Sequence, residues 1–228
     1  MVYRKTDSVQ ARLADNRKRI LEAARSLVSE GGWSEAQVSH VAAAAGLATG
    51  TVYRYFPSKA ELCVEVLSTL SQREVDVLDA IANGPAPAGQ RLHTAVSAFV
   101  SRAMRNRRLA YALIAEPCDP DIDRARLTYR HAISGQIMRI VRDGQAAGEF
   151  RADLEPRIAA TVIVGGFMES LVGPLSPLNT EFEPPPGNAR AVRSLAGDIA
   201  DLCCAAVAPR RGRTTLVSVP AQTDRSSQ

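Results

Sequence analysis

Residues 49–59 carry a run of side chains that can form hydrogen bonds with a partner molecule. The run combines threonine hydroxyls, tyrosine phenols and one ammonium group, on Thr49, Thr51, Tyr53, Tyr55 and Lys59. When a helix enters the major groove of DNA, threonine methyls can contact thymine methyls, and hydroxyls and phenols can reach base edges and phosphates. The chemistry that this spacing indicates is therefore recognition of a nucleic acid.

Two short predicted helices, joined at Gly46, would position these side chains. Gly46 permits a tight turn, and Ala42 and Ala45 let the two helices approach closely. The apolar residues that would hold the second helix on the core are Leu47, Val52 and Phe56. Its outward face would present Thr49, Gly50, Thr51, Tyr53, Arg54 and Tyr55. This arrangement predicts a helix-turn-helix, with its second helix over residues 49–55.

Two capping boxes flank the motif. Ser34 and Gln37 are spaced to start the first of the two helices, and Ser58 and Glu61 to start a longer helix after the motif. The N-terminus of the longer helix, with Lys59 beside its free amides, would bind a phosphate. The sequence therefore predicts a phosphate contact directly after the recognition segment.

Helical spacing continues through the rest of the chain, and strand signals are almost absent. An apolar stripe runs through Ile20, Leu21, Ala24, Leu27 and Val28, and that helix should end at Gly31 and Gly32. Further helices are predicted over residues 58–82, 91–105, 107–115, 121–147, 156–171 and 188–206, with a loop over 83–89. These patterns predict an all-α fold.

Charge is distributed unevenly along the chain. The net charge is +4, and residues 1–59 contain nine Lys/Arg against five Asp/Glu, whereas the remainder contains 19 of each. The basic side chains at or before the first helix include Arg12, Arg17, Lys18 and Arg19. A basic head on a nearly neutral body is what a small polyanion-binding domain requires.

Several classes of protein are disfavoured by composition. The four cysteines and three histidines show no metal-ligand or disulfide spacing, so we expect no metal and no cofactor. Cys203 and Cys204 could sense redox state or simply pack on a helix. Residues 1–10 are polar, and the apolar stretch over 158–168 is shorter than a bilayer span, so we expect a cytoplasmic protein without membrane contact.

The segment from Ile20 to Leu62 resembles the DNA-binding domain of the TetR/AcrR family. The resemblance is carried by joined elements: Gly46-Leu47, Thr51-Val52-Tyr53, Tyr55-Phe56 and Ser58-Lys59. It implies a homodimer that binds a double-stranded DNA operator, with the recognition helix near 48–55 in the major groove. It also implies a DNA-binding domain over 1–60 and a ligand-binding and dimerisation domain over 61–208. The tail over 209–228 is predicted to be disordered because it is rich in Arg, Ser and Thr and has few core residues.

On matching positions, the family's DNA contacts carry over to this chain. The expected DNA-binding residues are Gln37, Ala48, Thr49, Thr51, Val52, Tyr53, Tyr55 and Lys59. Gln37 departs from the family pattern, since a threonine often caps the first helix of the motif at this position. That departure puts the Gln37 contact in doubt, although the Ser34 box could replace the cap.

The helix over 156–171 is apolar nearly all round and contains Gly165 and Gly166. A helix without a polar face must be covered on all sides, and glycines allow another helix to come close. Together with the last helix it resembles the family's four-helix dimer interface. Burial inside one monomer is the competing interpretation.

Four arginines, Arg102, Arg105, Arg107 and Arg108, cluster between two predicted helices. They could hold an anionic effector such as an acyl-coenzyme A. The expected ligand-binding residues are Met104, Arg105, Arg108, Tyr111, Ile114, Tyr129 and Met138. The alternative is a solvated basic face above an ordinary core.

We therefore predict a DNA-binding transcriptional regulator, a repressor that a small molecule releases from a palindromic operator. Alternatives are an activator, a ligand-independent DNA-binding dimer and a helical adaptor that binds protein. An enzyme is disfavoured because His40, His93 and His131 lie far apart and none sits in a recognisable catalytic motif.

Overall fold

The computed structural model of the protein describes residues 7–178 and 189–210, and within these ranges all regular structure is helical. The helices are α1 Asp7–Gly31, α2 Val38–Ala45, α3 Thr49–Tyr53, α4 Lys59–Ala82, α5 Ala88–Arg105, α6 Arg107–Ile114, α7 Pro120–Ala146, α8 Pro156–Leu175 and α9 Ala189–Val207. The predicted all-α class is confirmed. The predicted tail lies, from residue 211 onward, outside the described residues.

Local signals located several helix ends correctly. Gly32, directly after α1, has a φ of 86°, and Gly46, after α2, has a φ of 63° in the left-handed region. The Gly46 amide is the C-cap, donating to the carbonyls at the end of α2. Ser58 caps α4, since its hydroxyl accepts a hydrogen bond from the Glu61 amide at 3.1 Å.

The capping box predicted at Ser34 is wrong. Residues 33–35 form a turn, and α2 begins at Val38 with Gln37 as an N-cap that makes no side-chain capping bond. The Ser34 hydroxyl donates to the Gly31 carbonyl instead, and the Gln37 amide nitrogen donates to the Ser34 carbonyl at 3.1 Å. The cause is a tertiary contact. Trp33 is buried and its indole bonds to Ala112 of α6, and this placement is compatible with the turn over residues 33–35.

Helix α5 begins three residues earlier than predicted, and its N-terminus depends on a distant carboxylate. Both Glu149 oxygens accept hydrogen bonds at this end, from the Ala88 amide at 3.0 Å and the Gly89 amide at 2.9 Å. These two bonds lower the pKa of the Glu149 carboxyl below its ordinary value. The capping residue therefore lies 61 positions away in the chain.

The N-terminal core packs α1 to α3 against the first turns of α4. It includes Ile20, Val28, Val41, Val52 and Phe56, all buried. Leu62, Cys63, Val66 and Leu67 of α4 belong to the same core, as do Leu109 and Ala112 of α6. The N-terminal core thus extends past residue 60, where the sequence predicted the domain boundary.

The C-terminal core is formed by the remainder of α4 with α5, α7, α8 and α9 and by one face of α6. Its largest fully buried side chains include Leu78, Leu92, Ile137, Phe167 and Leu171. Cys203 is buried in this core, and burial raises the pKa of its thiol to about 11. Because the thiolate is scarce at neutral pH, packing rather than redox sensing is the role that this environment favours for Cys203.

Helix α8 has one buried and one exposed face. Phe167 and Leu171 lie on the buried face, whereas Ile158 is 57% exposed and Val162 61% exposed. Gly165 and Gly166 share the outward stripe, and a β-carbon added at either glycine would meet no neighbouring atom within 4 Å. The monomer does not cover this helix on all sides, contrary to the interpretation of burial within one chain.

Helix α8 is also longer than the sequence pattern indicated. It continues through Pro174 to Leu175, 20 residues in all, and in length and hydropathy it matches a membrane-crossing helix. The prediction that this segment is too short to span a bilayer is therefore wrong. Half of this apolar segment is buried inside the fold, as is usual for the core helices of globular proteins.

Candidate nucleic-acid interface and cavity

The turn between α2 and α3 is built by backbone hydrogen bonds and small side chains. The Leu47 amide donates to the Ala42 carbonyl at 2.9 Å, and the Thr51 amide donates to the Ala48 carbonyl at 2.8 Å. Ala42 and Ala45 are buried between the helices, so α2 and α3 approach closely. The two helices predicted from the sequence therefore form, although α3 ends at Tyr53 rather than Tyr55.

The predicted recognition side chains divide by exposure. Those exposed are Gln37, Ala48, Thr49 and Tyr53, and those half-buried are Thr51, Tyr55 and Lys59. Tyr53 is 49% exposed and is the largest apolar surface on α3. All seven lie where a partner could reach them.

Val52 must be corrected as a DNA-binding residue. Its side chain is 0% exposed and belongs to the N-terminal core. In a helix, a residue one position from an exposed neighbour points about 100° away from it, so Tyr53 and Val52 cannot share a face. Val52 fixes α3 to the domain and cannot touch DNA.

Two of the basic residues expected to attract DNA have structural partners. Arg17 forms an ion pair with Glu65 at 2.6 Å and stacks over the Phe56 ring. Arg19 donates to the Ala45 carbonyl at 2.6 Å, at the C-terminus of α2, where a positive charge is favourable. Arg12 is exposed and forms no ion pair with the described residues. It is therefore a freer basic side chain than Arg17 or Arg19.

A cavity of about 280 Å³ lies between α4, α5, α6, α7 and α8. Most of its surface is apolar, and the apolar lining includes Leu70, Phe99, Leu109, Ile133 and Met168. Four arginines and one glutamate also line it: Arg73, Arg102, Arg126, Arg130 and Glu74. An apolar cavity with a few polar groups is typical of a small-molecule site.

Only two of the predicted ligand-binding residues line this cavity, Ile114 and Tyr129. The other five, Met104, Arg105, Arg108, Tyr111 and Met138, do not. Met104 is buried in the C-terminal core, and Met138 and Tyr111 pack against it. The hydrophobic periodicity of the sequence predicted the helices correctly, but it did not show which face of each helix lines the cavity.

The predicted arginine patch does not form a shared anion site. Arg102 makes a bidentate pair with Glu74, and Arg107 donates to the Pro174 carbonyl at 2.9 Å. Arg108 pairs with Glu116 at 2.6 Å, whereas Arg105 is exposed. Three of the four guanidiniums therefore hold structural partners, and they point in different directions.

Sequence reasoning missed Arg126 and Arg130. Arg126 donates to the carbonyls of Ala112, Leu113 and Glu116 and pairs with Asp123, so it holds the C-terminal end of α6. The Nε of Arg130 is buried and has no hydrogen-bond partner among the described residues. Arg126 and Arg130 are four positions apart on α7, and this spacing could have predicted from the sequence that they share one face of the helix.

Helix α6 joins the cavity to the N-terminal domain. Leu109 and Leu113 line the cavity and also pack in the N-terminal core. On another face of α6, Arg108 donates to the Gly31 carbonyl at 2.6 Å, at the end of α1. Side chains that a ligand would touch are thus in direct contact with the N-terminal core.

Two family models match the chain and together cover more than half of it. "Bacterial regulatory proteins, tetR family" matches residues 20–66, and "Tetracyclin repressor-like, C-terminal domain" matches residues 85–170. The first model spans the helix-turn-helix, and the second spans most of the cavity-lining helices. Both matches agree with the architecture described above.

Among characterised proteins, the chain is 40% identical over 103 residues to the HTH-type transcriptional repressor KstR of Mycolicibacterium smegmatis. That match covers 43% of this chain and 48% of the relative, so the chain spans about half the length of the relative. It is also 24% identical over 155 residues to the fatty acid metabolism regulator protein of Bacillus subtilis, covering 67% of this chain and 79% of that protein. Both relatives are transcription regulators rather than enzymes.

The fold is similar to that of solved regulators. The crystal structure of FadR from Bacillus subtilis in complex with stearoyl-CoA superposes with a TM-score of 0.69 at 20% identity, covering 83% of this chain and 98% of that one. Fold, helix-turn-helix geometry and the two family models point to the same assignment. The chain belongs to the TetR family of bacterial regulatory proteins.

Proposed function

We propose that this protein is a homodimeric repressor that binds a palindromic operator and leaves it when an acyl compound, such as an acyl-coenzyme A, occupies the cavity. The observation that carries the proposal is the position of α6, which shares Leu109 and Leu113 between the cavity and the N-terminal core. Such a regulator acts where the chromosome is, so we place it in the cytoplasm.

The DNA-binding part of the proposal rests on the exposed face of α3 and the start of α4. Thr49, Thr51, Tyr53 and Tyr55 would contact base edges or phosphates in the major groove. Lys59, at the N-terminus of α4, would contact a phosphate, where the helix dipole adds to its charge. Gln37 is exposed and would contribute through its side-chain oxygen at the edge of the interface.

The dimer is supported by the uncovered face of α8. Ile158, Val162, Gly165 and Gly166 form an apolar, small-residue stripe, and Leu202 of α9 is 72% exposed. Apolar patches on monomeric proteins mark interaction sites when they are contiguous, and glycines permit close helix packing. A two-fold axis beside this stripe would bring two recognition helices into successive major-groove turns, on the order of 34 Å apart.

Release would follow from the differential affinity of the ligand for two conformations. A ligand that fills the cavity would press on Leu109 and Leu113, and α6 is connected to α1 through Arg108. A shift of α6 would move α1 and α4 together and change the spacing of the recognition helices. The stearoyl-CoA in the FadR complex supports an acyl compound as the class to test first.

Binding to genomic duplex fragments, including DNA that flanks the gene of this protein, would test the proposal by fluorescence anisotropy over a salt series. We expect saturable, sequence-selective binding of two chains per site, with an affinity that falls steeply with salt. Acyl-coenzyme A thioesters of increasing chain length would then be added, and we expect at least one to release the duplex. Weak binding indifferent to sequence would contradict the proposal.

Transcription in vitro from the same duplex separates repression from activation. A repressor lowers the transcript yield. Adding the ligand releases the repressor from the duplex, so the yield returns to its value without protein. An activator would raise the yield, and a ligand-independent regulator would show no response to any thioester. A protein-binding adaptor would show no salt-dependent affinity for duplex DNA.

A further inference from the structure

The charged groups around the cavity are not equivalent, because all but two are neutralised or engaged by neighbours. Arg102 donates to both oxygens of Glu74, at 2.7 to 3.0 Å, so this pair bridges α5 and α4. The Arg126 guanidinium is occupied by three carbonyls and by Asp123. Arg73 is exposed, at the solvent end of the lining.

Arg130 differs from the other three arginines. Its Nε is buried without a hydrogen-bond partner, and the guanidinium forms no ion pair with the described residues. It lines the cavity together with Tyr129 and with apolar side chains such as Phe99 and Met168. An arginine at an apolar cavity wall is normally paired with an acceptor, so the unpaired guanidinium of Arg130 is the group of this lining that is available to a ligand oxygen.

We propose that Arg130 binds the carbonyl end of an acyl ligand whose apolar part fills the remainder of the cavity. This inference rests on the proposed function and identifies the residue that would select the ligand. The guanidinium would donate to a carboxylate oxygen, or to the carbonyl oxygen of a thioester, and Arg is suited to both because it presents its donors in a planar fork.

Two sources could supply such a ligand, a free carboxylic acid and its coenzyme A thioester. The cavity, at about 280 Å³, is at the small end of ligand sites, so the coenzyme A part would lie outside it. Arg73 is exposed at the rim and could then meet a phosphate. A free acid would leave Arg73 without a role.

Calorimetric titration of the full chain with decanoate, decanoyl-coenzyme A and decan-1-ol would test the inference. We expect Arg130→Gln to weaken the binding of decanoate, of decanoyl-coenzyme A or of both by at least about tenfold. Decan-1-ol, which lacks the carbonyl, should bind both proteins equally. The control is Arg124→Gln, which removes an exposed arginine from the same helix and should bind all three compounds as the wild type does.

Arg73→Gln identifies the source of the acyl group. A loss confined to decanoyl-coenzyme A supports the thioester, and no loss with either acyl compound supports the free acid. Because Arg130 has no partner to lose, Arg130→Gln should keep the thermal midpoint and the DNA affinity of the wild type. Arg130→Met, which keeps a long apolar stem, is a second neutral variant should the glutamine variant fold poorly.

Equal affinity of the wild type and both neutral variants for the two acyl compounds would overturn the inference, as would a wild type that binds neither. Failure of the proposed function looks different. If acyl compounds bind through Arg130 but the duplex is not released, the ligand site at Arg130 is supported and the proposed ligand-controlled repression is contradicted.

Discussion

The indole Nε1 of Trp33 donates a hydrogen bond to the carbonyl oxygen of Ala112 at 2.8 Å. Trp33 is in the turn after α1, and Ala112 is in α6, so this bond connects the N-terminal helices to a helix that lines the cavity. The Trp33 amide also donates to Glu116 at 3.2 Å. Arg126 donates to the same Ala112 carbonyl at 3.1 Å. One carbonyl group therefore has a donor from each domain.

Trp33→Phe should lower the free energy of unfolding by about 1 kcal/mol beyond the effect of the smaller ring, because one buried hydrogen bond is lost. The cost stays modest since Arg126 continues to satisfy the Ala112 carbonyl. Urea denaturation measures the change. The control is Tyr111→Phe, whose hydroxyl bonds to none of the described residues and should leave the free energy unchanged. Equal stability of Trp33→Phe and the wild type would contradict this account.

Val52→Ala should destabilise the fold by about 2 kcal/mol, because it removes two methyl groups from a fully buried position and leaves a cavity. Tyr53→Ala, at the neighbouring exposed position, should change stability by no more than about 0.5 kcal/mol. Thermal or urea unfolding of both variants gives the comparison. A reversed order would mean that α3 packs on the core by its other face.

Tyr53→Ala and Lys59→Ala should weaken DNA binding in different ways. If Tyr53 reaches a base edge, its loss costs roughly 1 to 3 kcal/mol on the operator and relaxes sequence selectivity. Loss of Lys59 should weaken binding to every sequence and reduce the slope of log affinity against log salt by about one. Anisotropy titrations at several salt concentrations separate the two effects. An unchanged salt slope would remove Lys59 from the phosphate contacts.

If the proposed dimer forms through α8, Val162→Glu should convert it into a monomer, because the glutamate would place a charge in the apolar stripe between the two subunits. The matched control is Leu127→Glu on α7, since Leu127 is 63% exposed and Val162 61% exposed. Light scattering coupled to gel filtration measures the mass. If both variants keep the mass of the wild type, the uncovered face of α8 is not the dimer contact.

Acid should weaken the fold partly through Asp153. Two hydrogen bonds from Arg151 lower the pKa of this carboxyl from 3.8 to about 2. A folded-state pKa below the unfolded value stabilises the protein above the unfolded pKa, and that stabilisation is lost as the pH falls through the folded one. The difference in urea midpoint between the wild type and Asp153→Asn should therefore shrink as the pH falls from 3.8 to about 2. A constant difference would show that the Arg151 pair is not formed in solution.

The helix ends that the sequence predicted correctly are those determined by near neighbours. Gly46 ends α2 through its own left-handed backbone conformation. Ser58 starts α4 by accepting a hydrogen bond from the amide of Glu61, three positions further on. The box at Ser34 failed because Trp33 must reach α6, and the start of α5 was missed because its cap comes from Glu149. A local pattern contains no information about either contact.

The candidate sites also differ in whether near neighbours or distant contacts determine them. The predicted recognition face follows from the spacing of one short helix, and the burial of Val52 removes that residue from it. The ligand residues required knowledge of which faces of α5, α6 and α7 turn inward, and 3.6-residue periodicity is compatible with several rotations. Arg102 was chosen as part of an anion site, yet Glu74, 28 positions earlier, already neutralises it.

The double membership of Leu109 and Leu113 has a consequence for redesign of this protein as a biosensor. Phe99, Ile133 and Met168 line the cavity but belong only to the C-terminal core, so substitutions there would alter the choice of analyte in the proposed site without touching the N-terminal core. Libraries that spare the two leucines should therefore yield variants with new specificity that still switch, whereas libraries that include them should yield variants locked in one output state.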